Sequence, residues 1–139
     1  MCIRDRRAAR CAAHAVPIPL PLHDMGERFV IETDALFSAL LSKKDPPAKA
    51  RGFHIGLAQA ICDGAVWARD RFGENTVALS GGVFQNRLLL ELATEKLENA
   101  GFSVLWNHAV PPGDGGLALG QLYWSEEERG CASRSLEKF

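Results

Sequence analysis

The stretch from Val77 to Arg87, VALSGGVFQNR, constrains this chain more than any other part of it. Residues 76–80 are β-branched, small or apolar and carry no charge, which is the composition of a buried strand. Gly81 and Gly82 end that run. From Val83 the apolar residues change period: Leu89, Leu92, Ala93, Leu97 and Ala100 fall at helical offsets, so a helix is expected over 83–100, closed by Gly101. A strand passing through two glycines into a helix brings bare main chain and free N–H groups to one place, a geometry suited to phosphate. A bare Gly-Gly is equally a tight strand-to-helix turn. The run is neither a GxGxxG fingerprint nor a Walker loop.

A second stretch answers the first. Residues 110–121 read VPPGDGGLALGQ, after a strand-like run at 102–106 and before an apolar helix expected from Gly115 to about Glu127. Each junction carries one polar residue that could face a ligand. Asn86 stands about one turn into the first helix, where a plain surface position is also open. Asp114 reads as a helix N-cap, since Asp is among the best caps. Yet Gly113, Gly115 and Gly116 strip away the side chains that would screen it, and a carboxylate that must reach a metal ion or a metal-bound phosphate needs that access. Both roles are compatible. Strand–helix–strand–helix order predicts parallel pairing with a right-handed crossover, so the two junctions are expected to share one cleft at the ends of adjacent strands.

Before these junctions, residues 15–24 alternate proline with apolar residues and favour extended backbone. A short strand is expected at 29–31 and a short helix at 35–41, capped by Thr33 or Asp34, with Leu36, Phe37, Leu40 and Leu41 on its apolar side. Pro46-Pro47 separates it from the longest helix, 48–71, whose stripe runs through Phe53, Leu57, Ala60, Ile61, Gly64, Ala65 and Ala68. His54 on that helix reads as a satisfied surface or core histidine, and His108 as a solvated loop residue. Residues 1–24 read as a tail of doubtful origin, 25–127 as the folded unit and 128–139 as a frayed tail.

The 139 residues suit one domain. A net charge of -1 gives no electrostatic case for nucleic acid or an anionic membrane. The four cysteines form no CxxC pair, which argues against a zinc ribbon or a disulfide framework, and Cys62 on an apolar helical face reads as a reduced core residue of a cytoplasmic protein. No apolar run is long enough to span a bilayer.

Taken together, LSGGVFQNRLLLE at 79–91 and VPPGDGGLALGQ at 110–121, with FHIGLAQAI at 53–61 and FVIETDALFSALLS at 29–42, resemble the C-terminal end of the hydrogenase-maturation carbamoyltransferases, the HypF family. The resemblance covers roughly residues 25–125. It implies an α/β fold: part of one lobe of an actin/hexokinase/Hsp70-like ATPase domain, a small sheet flanked by helices. It implies that Gly81, Gly82, Asn86 and Gly115 lie against ATP or a carbamoyl-adenylate and that Asp114 is a ligand to a divalent metal ion. It implies transfer of a carbamoyl group, drawn from carbamoyl phosphate, to the C-terminal cysteine of a HypE-like acceptor protein. The family completes its metal site with a histidine pair on an earlier helix, and this chain has no such pair, so the chain by itself is expected to be inactive, a truncated second half. Two other readings stand beside this one: an O-carbamoyltransferase or a relative of the tRNA threonylcarbamoyl transferase, and a non-catalytic α/β remnant or interaction module.

Overall fold

The computed structural model describes residues 9, 15–41, 45–108, 110 and 113–125. The expected tail at 128–139, the end of the last helix and most of the segment before residue 15 lie outside them.

Two strands open the described chain. β1 (Leu22–Asp24) and β2 (Phe29–Ile31) form an antiparallel pair in which Leu22 faces Ile31 and Asp24 faces Phe29. Helix α1 (Asp34–Leu41) follows, then α2 (Pro46–Phe72). Asp45 caps α2, its carboxylate accepting from the Ala48 N–H at 3.3 Å, and Pro46 occupies the first turn, where its missing N–H costs nothing. Gly73 closes the helix with an N–H to the Arg69 carbonyl at 2.8 Å. β3 (Thr76–Leu79), α3 (Arg87–Asn99) and β4 (Ser103–Trp106) form a strand–helix–strand unit, and a last helix, α4, covers 117–125. β3 and β4 pair in parallel, from Thr76 with Ser103 to Leu79 with Trp106. Among the described residues, the expected single small sheet is therefore two separate two-stranded ones.

Parallel pairing has a direct consequence. Both glycine junctions leave the carboxyl ends of neighbouring strands, so they emerge at the same end of the sheet.

The core joins Ala58 and Cys62 of α2, Leu79 of β3, Leu89, Ala93 and Leu97 of α3, and Phe102. Leu89 and Leu97 are fully buried and stabilise by about 2 kcal/mol each. At the far end Arg69 donates to the Ala100 carbonyl at 2.9 Å while its guanidinium lies 4.5 Å over the Phe102 ring.

The single stripe expected on α2 is corrected to two buried rows. Gly52, Gly56 and Ala60 form one; His54, Ala58 and Cys62 form the other, each at i, i+4 spacing on nearly opposite sides. Phe53, Leu57 and Ile61 are only half-buried. The cause is the segment before β1. Residues 15–21 lie extended across α2, the Ile18 N–H bonding the Gly52 carbonyl at 3.0 Å, with Ile18 and Leu20 buried. A Cβ on Gly52 or Gly56 would overlap the Val16 or Ile18 carbonyl oxygen. The stretch set aside as a tail thus supplies buried side chains, from residue 15 onward, to the unit.

The apolar side of α1 is not covered by the described residues: Phe37, Leu40 and Leu41 are exposed. The same holds for Leu117, Leu119, Leu122 and Trp124 on α4. Among the described residues no helix is long and apolar enough to cross a membrane.

Candidate functional site

At the carboxyl ends of β3 and β4 lies a hollow of about 670 Å³. Gly81, Gly82 and Asn107 line it from the strand ends, and Gly113, Asp114 and Gly116 from the second junction. The two glycine turns touch. A Cβ built on Gly113 would stand 3.7 Å from the Cα of Gly82 and 2.9 Å from Nε2 of Gln85.

The first junction is not a strand running straight into a helix, as the sequence led us to expect. Gly82–Gln85 form a 3-10 turn, Asn86 is extended at φ -77, ψ 94, and α3 starts only at Arg87. The turn closes with the Phe84 N–H on the Gly81 carbonyl and the Asn86 N–H on the Val83 carbonyl, both at 3.1 Å. Gly81 sits at φ +97, a conformation that glycine adopts at low cost and other residues do not. Gly82 is different. It has no positive φ, and a Cβ there would meet no atom of the described residues beyond its chain neighbours within 4 Å. Packing among the described residues does not require glycine at 82. Its effect is to leave the main chain bare toward the hollow.

The second junction also departs from expectation. Gly113, not Asp114, takes the cap position, with its carbonyl accepting from the Gly116 N–H at 2.9 Å. Asp114 is the first residue inside a 3-10 turn (Asp114–Gly116), exposed at the rim. Gly115 belongs to the same turn and is exposed, but Gly116 rather than Gly115 lines the hollow.

Asn86 does not line it. The residue is buried, and its side-chain Nδ2 donates to Nε2 of His54 at 2.8 Å. His54 has no exposed surface, and its Nδ1 lies 2.6 Å from the Ala50 carbonyl. A carbonyl only accepts, so Nδ1 carries the proton and Nε2 is the acceptor that Asn86 needs. Sequence reasoning read His54 as a satisfied histidine, which it is, but missed its partner. A signal was available: His54 leads the row His54, Ala58, Cys62, and that row faces α3. His108 is exposed, as expected of a loop histidine, and stacks on the Trp106 ring with centroids 3.7 Å apart.

No group of three or more His, Cys, Asp or Glu among the described residues is placed to hold a metal ion. Asp114 brings one carboxylate, and His54 has committed both nitrogens. These residues alone do not make a metal site. Cys62 is no candidate nucleophile either: burial, with the Asp63 carboxylate next, pushes its thiol up, and its Sγ lies 3.7 Å from the Lys96 carbonyl.

A second hollow, about 710 Å³, runs along α3 on Leu79, Phe84, Leu90 and Trp106, with Glu91 and Glu95 at its edge. Asn107 borders both hollows.

An α/β unit with two glycine turns meeting at the carboxyl ends of parallel strands belongs to the class of structure in which ligands lie at those strand ends. The particular family follows from comparison. Residues 6–121 match the family model described as carbamoyltransferase, Kae1-like domain, second subdomain. The chain is 33% identical over 106 residues to carbamoyltransferase HypF of Synechocystis, covering 75% of this chain and 13% of that protein. It is 40% identical over 88 residues to a HypF homolog of Cupriavidus necator, covering 61% and 22%. A crystal structure of full-length HypF in a phosphate- and nucleotide-bound form superposes with a TM-score of 0.70 at 32% identity, over 79% of this chain and 15% of that one. HypF of T. kodakarensis gives the same TM-score at 28% identity, over 89% and 17%. The chain belongs to the HypF carbamoyltransferase family, in the second subdomain of its Kae1-like domain. It spans roughly an eighth to a fifth of the length of these relatives.

Proposed function

We infer that the 670 Å³ hollow receives the phosphate-bearing part of a nucleotide, ATP or a carbamoyl-adenylate, within a carbamoyl-transferring enzyme. The observation that carries this reading is Gly82: a glycine that neither backbone angle nor packing among the described residues demands, facing a hollow shared with Asp114. A phosphate needs close approach to main-chain N–H groups, and a side chain at 82 would obstruct it. Gly81 and Gly113 line the hollow beside Gly82, and Gly115 follows Asp114 in the facing turn. Asp114 is assigned a place beside the ligand at the rim. Asn86, which sequence resemblance places on the adenylate, is assigned a supporting place beneath the turn. That one HypF structure is phosphate- and nucleotide-bound supports the same ligand class here.

The reaction proposed for the whole enzyme is attack of an acceptor thiolate on the carbamoyl carbon of the adenylate. A C–S bond forms, the C–O bond to the phosphate breaks, and AMP leaves. The acceptor is the C-terminal cysteine of a HypE-like protein, and the carbamoyl group comes from carbamoyl phosphate. Residues 15–125 are proposed as the unit of this domain that the chain supplies.

Calorimetry with ATP, in the presence and absence of Mg²⁺, tests the site on the full chain. Saturable binding is expected, weakened at least about tenfold, or about 1.4 kcal/mol, by Gly82→Ala with the fold intact. No binding to the wild-type chain, or equal binding by Gly82→Ala, would refute the reading.

A further inference from the structure

We propose that His54 is a positioning residue for the glycine junction: locked as its Nδ1–H tautomer, it holds the Asn86 side chain inward and so sets the shape of the 81–86 turn. The functional weight of this pair rests on the phosphate reading above; the clamp itself does not.

Asn86 occupies the N-cap position of α3, and Asn is one of the best residues there because its side-chain oxygen can take a free N–H of the first turn. Here it makes no such bond. Its amide turns the other way and donates to His54, 32 residues earlier in the chain. Forgoing a cap costs a helix about 1 kcal/mol, so an interaction of at least that size offsets it. A buried bond to the His54 ring is of that size: leaving Nε2 without a donor costs about 1–3 kcal/mol.

The bond has one workable polarity. The Ala50 carbonyl accepts from Nδ1, which leaves Nε2 with a lone pair aimed at Asn86. Nδ2 of the amide must then face the ring. Ala50, His54 and Asn86 form one directed chain from the body of α2 to the end of the 3-10 turn. The main-chain bonds of Asn86 add to the placement. Its N–H closes the turn on Val83, and its carbonyl accepts the Leu90 N–H to start α3. Moving the Asn86 side chain therefore moves both the last bond of the Gly82–Gln85 turn and the first bond of α3. Gly81 and Gly82, five and four residues upstream, line the hollow.

The test reads the ligand-free full chain by NMR, alongside three variants. His54→Leu removes the acceptor at similar volume. His54→Gln retains an acceptor near the Nε2 position. Leu97→Ala damages the core elsewhere. A two-bond proton–nitrogen spectrum of the wild type is expected to show His54 as the Nδ1–H tautomer. His54→Leu is expected to shift or broaden the amide signals of Gly81, Gly82, Phe84 and Gln85, His54→Gln to return them toward wild type, and Leu97→Ala to leave them in place. The proposal falls if His54 is found as the Nε2–H tautomer, if His54→Leu leaves those amides unmoved, or if Leu97→Ala moves them equally. Should His54→Leu fail to fold, the tautomer together with the Asn86→Ala spectrum decides: that variant must move the same four amides. Titration of the wild type with ATP and Mg²⁺ tests the phosphate reading separately, because the clamp signals are read without ligand.

Discussion

Gly113 is seated on Gly82, its Cβ position 3.7 Å from the Gly82 Cα. Two turns that are 31 residues apart in the chain are thereby one structural feature. Gly113 has an ordinary extended backbone, so Gly113→Ala meets no conformational barrier. The new methyl would lie 2.9 Å from Nε2 of Gln85, the mobile end of an exposed side chain that can swing aside. We expect stability within about 0.5 kcal/mol of wild type and weaker ATP binding as the hollow narrows. Urea denaturation and calorimetry on the same sample separate the two effects.

Gly81 and Gly82 should respond in opposite ways to the same change. Gly81→Ala places a methyl on a φ of +97 and is expected to cost about 1–2 kcal/mol. Gly82→Ala enters open space and is expected to leave the denaturation midpoint nearly unchanged. Equal losses in the two variants would show that Gly82, too, is held by the fold.

Gly56→Ala sets helix propensity against packing. Alanine in the middle of α2 gains about 1 kcal/mol of propensity. The added Cβ overlaps the Ile18 carbonyl oxygen, which is main chain and can yield only if the extended segment moves. The expected net result is a loss of about 1–3 kcal/mol, with faster proteolysis between residues 15 and 21. At Gly64 the neighbour is the tip of the Phe29 ring at 3.2 Å, so Gly64→Ala should be milder.

Acid should loosen the β1–β2 hairpin from the end of α2. The Gly26 N–H on the Asp24 carboxylate at 2.8 Å, together with the Arg71 guanidinium, holds its pKa below the usual 3.8. A lowered folded value means that the folded state binds fewer protons, so stability rises with pH across this range. The contribution is complete above the ordinary carboxylate value and is lost as pH falls through the folded one. Asp24→Asn should therefore be less stable than wild type at pH 7, with the gap closing in acid. Denaturation curves at both pH values check it.

The Cys62 thiol should resist alkylation in the native state and react once the α2–α3 seam opens. Its burial disfavours the thiolate that attacks the reagent. Peptide mass spectrometry after a short iodoacetamide pulse, with and without urea, reads this directly.

The strands and helices were legible because each carries its own period. β3, β4 and α3 lie within a few residues of their expected places, and Asp45, Pro46, Pro47 and Gly73 mark the ends of α2. The pairing of β3 with β4 was legible too, since strand–helix–strand order leaves parallel alignment as the natural outcome. From these follows the meeting of the two glycine turns.

What the sequence by itself determined is the local grammar: where backbone must be bare, where a helix can begin, which family shares these turns. Tertiary structure alone decided where the polar side chains went. Nothing local told Asn86 to abandon its helix end for His54, or told residues 15–21 to cross α2. Both depend on groups 32 or more positions away in the chain, and a buried donor seeks whichever acceptor the folded core brings near, a choice no short window of sequence contains.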